Sequence, residues 1–219
     1  MKIYTFPKLV QKLFPDIVWF IPNRQNQVFL TFDDGPHPVY TAQILKILHQ
    51  HNTRASFFVL AQKALLHPEI INQICHQGHT VGLHGYDHQS LLFKPASAIA
   101  GELTKCQKIF TEVTNRSLRF FRPPFGQFSP ALVKLSHRLN LKIVLWRIMT
   151  YDFDPNFNQK LILKMINKRI KSGDVIVLHD GHENSHQTVD LLEQLVILIK
   201  KIGLQPATLP QLSKFSLDI

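Results

Sequence analysis

Val28-Phe29-Leu30-Thr31-Phe32-Asp33-Asp34-Gly35-Pro36 decides the fold: β-branched and aromatic residues form a strand over 28–32, which ends in two carboxylates and a Gly-Pro turn. Further runs of this kind follow at 54–60, 80–83, 118–121, 142–148, 174–178 and 204–209. Between them, apolar residues recur at helical spacing over about 40–51, 61–77, 95–114, 129–140, 158–172 and 187–202. In the clearest of these segments, Ile99, Leu103, Cys106, Phe110 and Val113 recur every three or four residues and share one buried face. Gly173 and Gly203 stand where helices end, as residues that tolerate a left-handed conformation before the next strand. Strict strand–helix alternation implies an α/β fold with a mainly parallel sheet, either open and doubly wound or closed into a barrel.

The chain has 219 residues, 45% apolar and 18% charged, which is enough to bury a core and excludes a disordered linker. No repeat or polar linker divides it, so one domain is expected over 26–210. Residues 1–25 read as an N-terminal extension packed on that domain, and 211–219 as a C-terminal tail. Lys+Arg 25 against Asp+Glu 15 leaves +10, a balance that favours contact with anionic polymers. The lysines are scattered and no nucleic-acid-binding pattern occurs, so no nucleic-acid partner is expected. Cys75 and Cys106 form neither a CxxC nor a zinc-knuckle spacing, which excludes a disulfide framework. Pro7, Lys12, Pro15 and Asp16 interrupt the N-terminal apolar residues, so neither a signal peptide nor an integral membrane segment is read there. That reading points to the cytoplasm and leaves envelope association by non-standard export open.

In either sheet architecture, chemistry gathers where strands end. There the sequence places Asp33 and Asp34, then His84 and His88, Arg122, Asp152 and His179. Two adjacent carboxylates at a strand end form a simple Asp-Gly turn or need a cation or an arginine to offset their repulsion. His84 and His88, at i and i+4, share a face if their loop begins a helix, and could then chelate one metal. The prolines of Arg122-Pro123-Pro124-Phe125-Gly126 stiffen the backbone, which suits either a surface salt bridge or an arginine aimed at Asp33. His179 ends the apolar run 174–178 and reads equally as a core histidine or a reactive one. Trp146, taken alone, reads as core packing. His182-Glu183-Asn184-Ser185-His186 matches the HExxH of zinc peptidases, whose mechanics need a helix. Gly181, Asn184 and Ser185 disfavour one, so this stretch reads as an exposed loop ahead of a helix beginning near Thr188.

Together these residues resemble the polysaccharide deacetylases of carbohydrate esterase family four. The resemblance covers about 26–210 and rests on five stretches in family order: 31–36, His84-Gly85-Tyr86-Asp87-His88, 122–126, Trp146 to Phe153, and Ile176-Val177-Leu178-His179-Asp180. It implies a distorted (β/α)7–8 barrel with one divalent metal, usually zinc with cobalt or nickel as alternatives, held by Asp34, His84 and His88. Asp33 would be the general base, His179 the general acid, and Arg122 the partner of the base. Trp146, Leu178, Pro123 and Phe125 would form the substrate-binding surface. The implied reaction is removal of N-acetyl groups from an amino-sugar polymer or oligomer, with an N-acetylated glycan as partner. A glycan-binding relative with little activity and an O-acetyl esterase are the alternatives. The chemistry agrees, since two imidazoles and one carboxylate leave open positions on a metal, as catalysis requires.

The sequence departs from the family pattern twice within these stretches. Gly85 stands where the family usually has Ser or Thr, removing a hydroxyl that could bind the loop. Met149 stands where many members carry the first Asp of an Asp-x-x-Asp-Trp motif. Asp152, Asp174 and Asp180 are then the carboxylates available to support His179.

Overall fold

A computed structural model describes residues 7–210, so the expected tail 211–219 lies outside the described residues. The helices are α1 (Lys8–Leu13), α2 (Tyr40–Gln50), α3 (Ala61–Leu66), α4 (Pro68–His76), α5 (Ala96–Thr114), α6 (Pro130–Arg138), α7 (Gln159–Arg169) and α8 (His186–Lys201). The strands are β1 (Gln27–Asp33), β2 (Ser56–Val59), β3 (Thr80–Leu83), β4 (Phe120–Phe121), β5 (Lys142–Ile143), β6 (Ile148–Met149), β7 (Val175–His179) and β8 (Gln205–Ala207). They pair in the order β5-β4-β3-β2-β1-β7-β6, with β8 also on β1, and every pairing is parallel. The sheet curls into a half-barrel with helices around it.

β1 and β7 are central because they are apolar on both faces, and all but the first residue of β1 is buried. Their register sets Asp33 opposite His179, while β1–β2 pairing sets Asp33 opposite Phe58. On α5, Ile99, Leu103, Cys106 and Phe110 are buried and Val113 packs against the core. Gly173 and Gly203 have φ of +92° and +80°. None of the described helices is long and apolar enough to cross a membrane.

Residues 17–21 lace the sheet's open side. Val18 donates to Ile143 O (2.9 Å) and accepts from Leu145 N (2.8 Å), and Ile21 N then reaches Gly173 O (2.8 Å). Ile17, Val18, Trp19 and Ile21 are buried by this arrangement.

Two expected elements divide. The run 142–148 becomes β5 on β4 and β6 on β7, because 144–147 cross from one sheet edge to the other: Val144 N donates to Phe121 O, whereas Arg147 N donates to Val175 O. The helix over 61–77 breaks at Pro68, which lacks an N–H to continue α3 and instead opens α4.

Candidate active site

Parallel pairing puts the ends of β1, β3, β4 and β7 at one end of the barrel, and the loops leaving them build the site. Asp33 ends β1 and is buried. Arg122, one residue past β4, is wholly buried beside it, with Nη1 donating to Asp33 Oδ1 (2.6 Å) and to Thr31 Oγ1 (2.9 Å). Nε donates to Val144 O (3.0 Å), and the guanidinium stacks on the Phe58 ring at 4.1 Å. A surface salt bridge is therefore excluded.

Asp34, at φ +72°, turns its carboxyl away from that pair. Its Oδ1 lies 3.3 Å from His84 Nε2 and 3.2 Å from His88 Nε2, buried and without a hydrogen-bond partner. One ligand atom from each residue falls within 4.8 Å of the others, and this is the only His/Cys/Asp/Glu group suited to a metal among the described residues. His84 Nδ1 sits 2.7 Å from Arg122 O, a carbonyl that takes the proton on Nδ1, so that the neutral ring would turn its Nε2 lone pair to a cation at Asp34. An orphaned carboxylate oxygen between two imidazole nitrogens fits a divalent cation. Burial works to raise the Asp34 carboxyl, but His84, His179 and His88 pull it well below the ordinary carboxylate range.

The two imidazoles do not converge as i and i+4 on a helix. Residues 84–88 are a loop in which Gly85 (φ +93°) and His88 (φ +65°) take left-handed conformations that bring the rings to 5.1 Å. A Ser or Thr at 85 would be strained there. Instead of a side-chain hydroxyl, the first amides of α3 hold the loop: Ala61 N donates to Gly85 O and Gln62 N to Tyr86 O, both at 3.0 Å.

His179 is also buried. Its Nδ1 lies 2.8 Å from Asp152 Oδ1, and its backbone N donates to Asp152 Oδ2 (2.7 Å). Thr150 Oγ1 (2.7 Å) and Thr188 Oγ1 (2.5 Å) complete the shell of Asp152, which has no exposed surface. Burial opposes the imidazolium, but Asp152, helped by Asp34 and Asp33, pushes His179 up to about 9. Of the three carboxylates available in sequence, only Asp152 meets the ring. Asp174 lies just before β7 and pairs with Arg147 (3.2 Å), while Asp180 accepts from Thr41 Oγ1 (2.5 Å).

The family model for polysaccharide deacetylase matches residues 21–144, more than half of the chain. The chain belongs to the polysaccharide deacetylase family. It is 30% identical over 203 residues to a peptidoglycan-N-acetylglucosamine deacetylase of Bacillus cereus, covering 91% of this chain and 93% of that one. It is likewise 30% identical over 162 residues to a chitooligosaccharide deacetylase of Azorhizobium caulinodans, covering 74% and 77%. The crystal structure of a peptidoglycan N-acetylglucosamine deacetylase in complex with 4-naphthalen-1-yl-N-oxidanyl-benzamide superposes with a TM-score of 0.86 at 29% identity, covering 94% of this chain and 96% of that one. Both named relatives are N-deacetylases, and the enzymes of this family are metal-dependent hydrolases.

Around these residues, Trp146 is buried with its indole pressed on Gly126, where an added Cβ would come within 2.6 Å of Cη2. Leu178 is wholly buried in β7 and Pro123 is buried, whereas Phe125, at φ +59°, is 59% exposed with its ring 4.4 Å from His88. The HExxH-like stretch is a loop over 182–185, as its composition requires, but it is not an exposed one: Ser185 is buried and His182 and Asn184 are half-buried, with His182 Nδ1 accepting from Asn184 N. α8 begins at His186, slightly earlier than expected. The sequence reading missed Thr150 and Thr188: the first hydroxyl contact depends on β6–β7 pairing and the second on how α8 packs at the end of β7, and no spacing rule signals either.

Proposed function

We propose that this deacetylase hydrolyses N-acetyl groups on a peptidoglycan- or chitin-like amino-sugar polymer or oligomer. The observation that carries the reading is the placement of Asp33, with Arg122, directly across the β1–β7 pair from His179, with Asp152, beside the Asp34–His84–His88 group. These three ligands would hold one divalent cation, and their nitrogen and oxygen donors suit zinc, with cobalt or nickel as substitutes. When bound, the cation supplies Lewis acidity to a water molecule and to the acetamide carbonyl.

The protein's own groups supply the proton transfers. Asp33, fixed by Arg122, accepts a proton from the water whose oxygen attacks the acyl carbon. His179 carries a proton on each ring nitrogen in its charged form: Asp152 holds the one on Nδ1, and Nε2 gives the other to the amine as the carbon–nitrogen bond breaks. The products are acetate and a free amino sugar. Trp146, 5% exposed, would offer apolar surface to the acetyl methyl with wholly buried Leu178 backing it, while exposed Phe125, carried by buried Pro123, would border the sugar.

Met149 and Gly85 are the motives for reading the chain as a glycan-binding relative with little or no activity. The direct contact between Asp152 and His179 and the backbone bonds that hold the 84–88 loop favour the enzyme over that reading. Acetate release from N-acetylglucosamine oligomers, peptidoglycan and an O-acetylated glycan, measured with metal-stripped protein before and after adding zinc or cobalt, tests the proposal. Metal-dependent release from an N-acetylated substrate, lost in His84→Ala, is the expected result. Release only from the O-acetyl ester, or none with metal bound, overturns it.

A further inference from the structure

The stretch that imitates HExxH, together with the first turn of α8, has a different occupation. Asn184 Nδ2 donates to Phe153 O (3.0 Å), and Gln187 Nε2 donates to the carbonyls of Asp152 (3.2 Å) and Asp154 (3.1 Å). Ser185 Oγ donates to His179 O (2.9 Å), and Thr188 Oγ1 lies 2.5 Å from Asp152 Oδ2 and 2.8 Å from His179 O. Ser185 already serves that carbonyl, so the single Thr188 proton is free for the carboxylate. Thr188 and Ser185 are essentially wholly buried.

We infer that residues 184–188 are a clamp that fastens the 152–154 loop to the end of β7, with Thr188 the positioning residue that sets the Asp152 carboxylate against the His179 ring. The inference rests on the acid role proposed for His179. Its geometric content is independent of turnover. Each Asp152 oxygen takes two donors: Oδ1 takes His179 Nδ1 and Thr150, and Oδ2 takes His179 N and Thr188. A carboxylate held at four points cannot rotate about its Cβ–Cγ bond, so His179 Nδ1–H keeps one acceptor direction. Without the Thr188 hydroxyl, Oδ2 retains only the His179 amide. The carboxylate is then free to swing, and the imidazole can turn with it.

Val and Ser at position 188 separate this role from packing: Thr188→Val keeps the shape and loses the hydroxyl, whereas Thr188→Ser does the reverse. The expected result for Thr188→Val is a kcat at least about tenfold lower, with KM, bound zinc and melting temperature near wild type. Thr188→Ser should return to within about twofold. Proton NMR of the metal-free protein gives a readout that needs no substrate. A downfield imidazole N–H resonance, assigned by its absence in His179→Gln, should persist in wild type and Thr188→Ser but broaden or move upfield in Thr188→Val. Thr150→Val, acting on the other carboxylate oxygen, should change the same resonance. Wild-type kcat and an unchanged resonance in Thr188→Val overturn the clamp, as does equal impairment of Thr188→Val and Thr188→Ser, which would show a packing role. If the wild-type protein releases no acetate, the acid role of His179 falls and the resonance alone decides whether Thr188 braces Asp152.

Discussion

Arg122 and Asp33 meet as a buried ion pair: Nη1 to Oδ1 is 2.6 Å, the guanidinium has no exposed surface, and Asp33 is 3% exposed. Three further donors of Arg122 go to Thr31 Oγ1 and to the carbonyls of Val144 and Leu145. One side chain thus joins β1 to the chain that crosses from β5 to β6, and it offsets the repulsion between Asp33 and Asp34. The guanidinium is delocalised and weakly hydrated, which suits it to this buried position better than an ammonium.

Arg122→Met should destabilise the fold by about 3–5 kcal/mol, because it strands a buried carboxylate and three acceptors. Arg122→Lys should also be destabilised, since a single ammonium cannot serve acceptors spread around a planar fork. Urea unfolding checks both. A loss below about 1 kcal/mol in Arg122→Met would show that Asp33 does not depend on this pair.

Asp33→Asn tests the base role proposed for Asp33 separately from the metal-holding role proposed for Asp34, His84 and His88. The amide oxygen of the new side chain could still accept from Arg122, and the Asp34, His84 and His88 donors are untouched, so bound metal should match wild type. The kcat should fall by about 10²–10⁴-fold. His84→Ala should instead lose the metal and the turnover together. Elemental analysis beside acetate release distinguishes the two patterns, and substantial activity in Asp33→Asn would remove Asp33 from the mechanism.

His179 gives the metal-free protein a pH-dependent stability with a definite sign. Its folded value, about 9, exceeds the ordinary histidine value of about 6.5, so the folded state holds the proton more tightly. The stabilising contribution is complete below pH about 6.5 and is lost as pH rises through about 9. Wild type minus His179→Gln, measured by urea unfolding across this range, should fall steadily. Added zinc should move the decline to lower pH, because a cation beside Asp34 repels the imidazolium. A flat difference would show that Asp152 does not stabilise a charged His179.

Much of this arrangement was legible because parallel β/α alternation puts every strand end on one side, and the polar residues following those ends could be read directly. What could not be read depended on the path of the backbone between strands. His84 and His88 have helical spacing yet converge through left-handed residues in a loop. Asp152 was read at a strand end as a site residue, but the sequence left Asp174 and Asp180 as substitutes beside His179. Pairing of β6 with β7, with Thr150 N on Val177 O, is what brings Asp152 to His179. The 17–21 segment carries apolar residues that could belong to any packed extension, and only the gap between the sheet edges gives it a place.

Gly181 couples two stretches far apart in sequence. A Cβ added there would stand 1.9 Å from Asp34 O, 2.2 Å from Asp34 C and 2.7 Å from Gly35 N, all backbone atoms that no rotamer change can move aside. The turn after His179 is therefore packed directly on the turn that aims Asp34. Gly181→Ala must push residues 34–35 outward, displacing the carboxylate from His84 and His88. Overpacking of this kind should cost about 1–3 kcal/mol of stability. Zinc affinity should weaken by about 10–100-fold as the ligand geometry loosens. Zinc titration against a competing chelator, alongside urea unfolding, measures both. Weakened affinity in a protein that still unfolds cooperatively would place Gly181 among the determinants of ligand geometry. An unchanged zinc affinity would show that the Asp34 turn yields without moving its carboxylate.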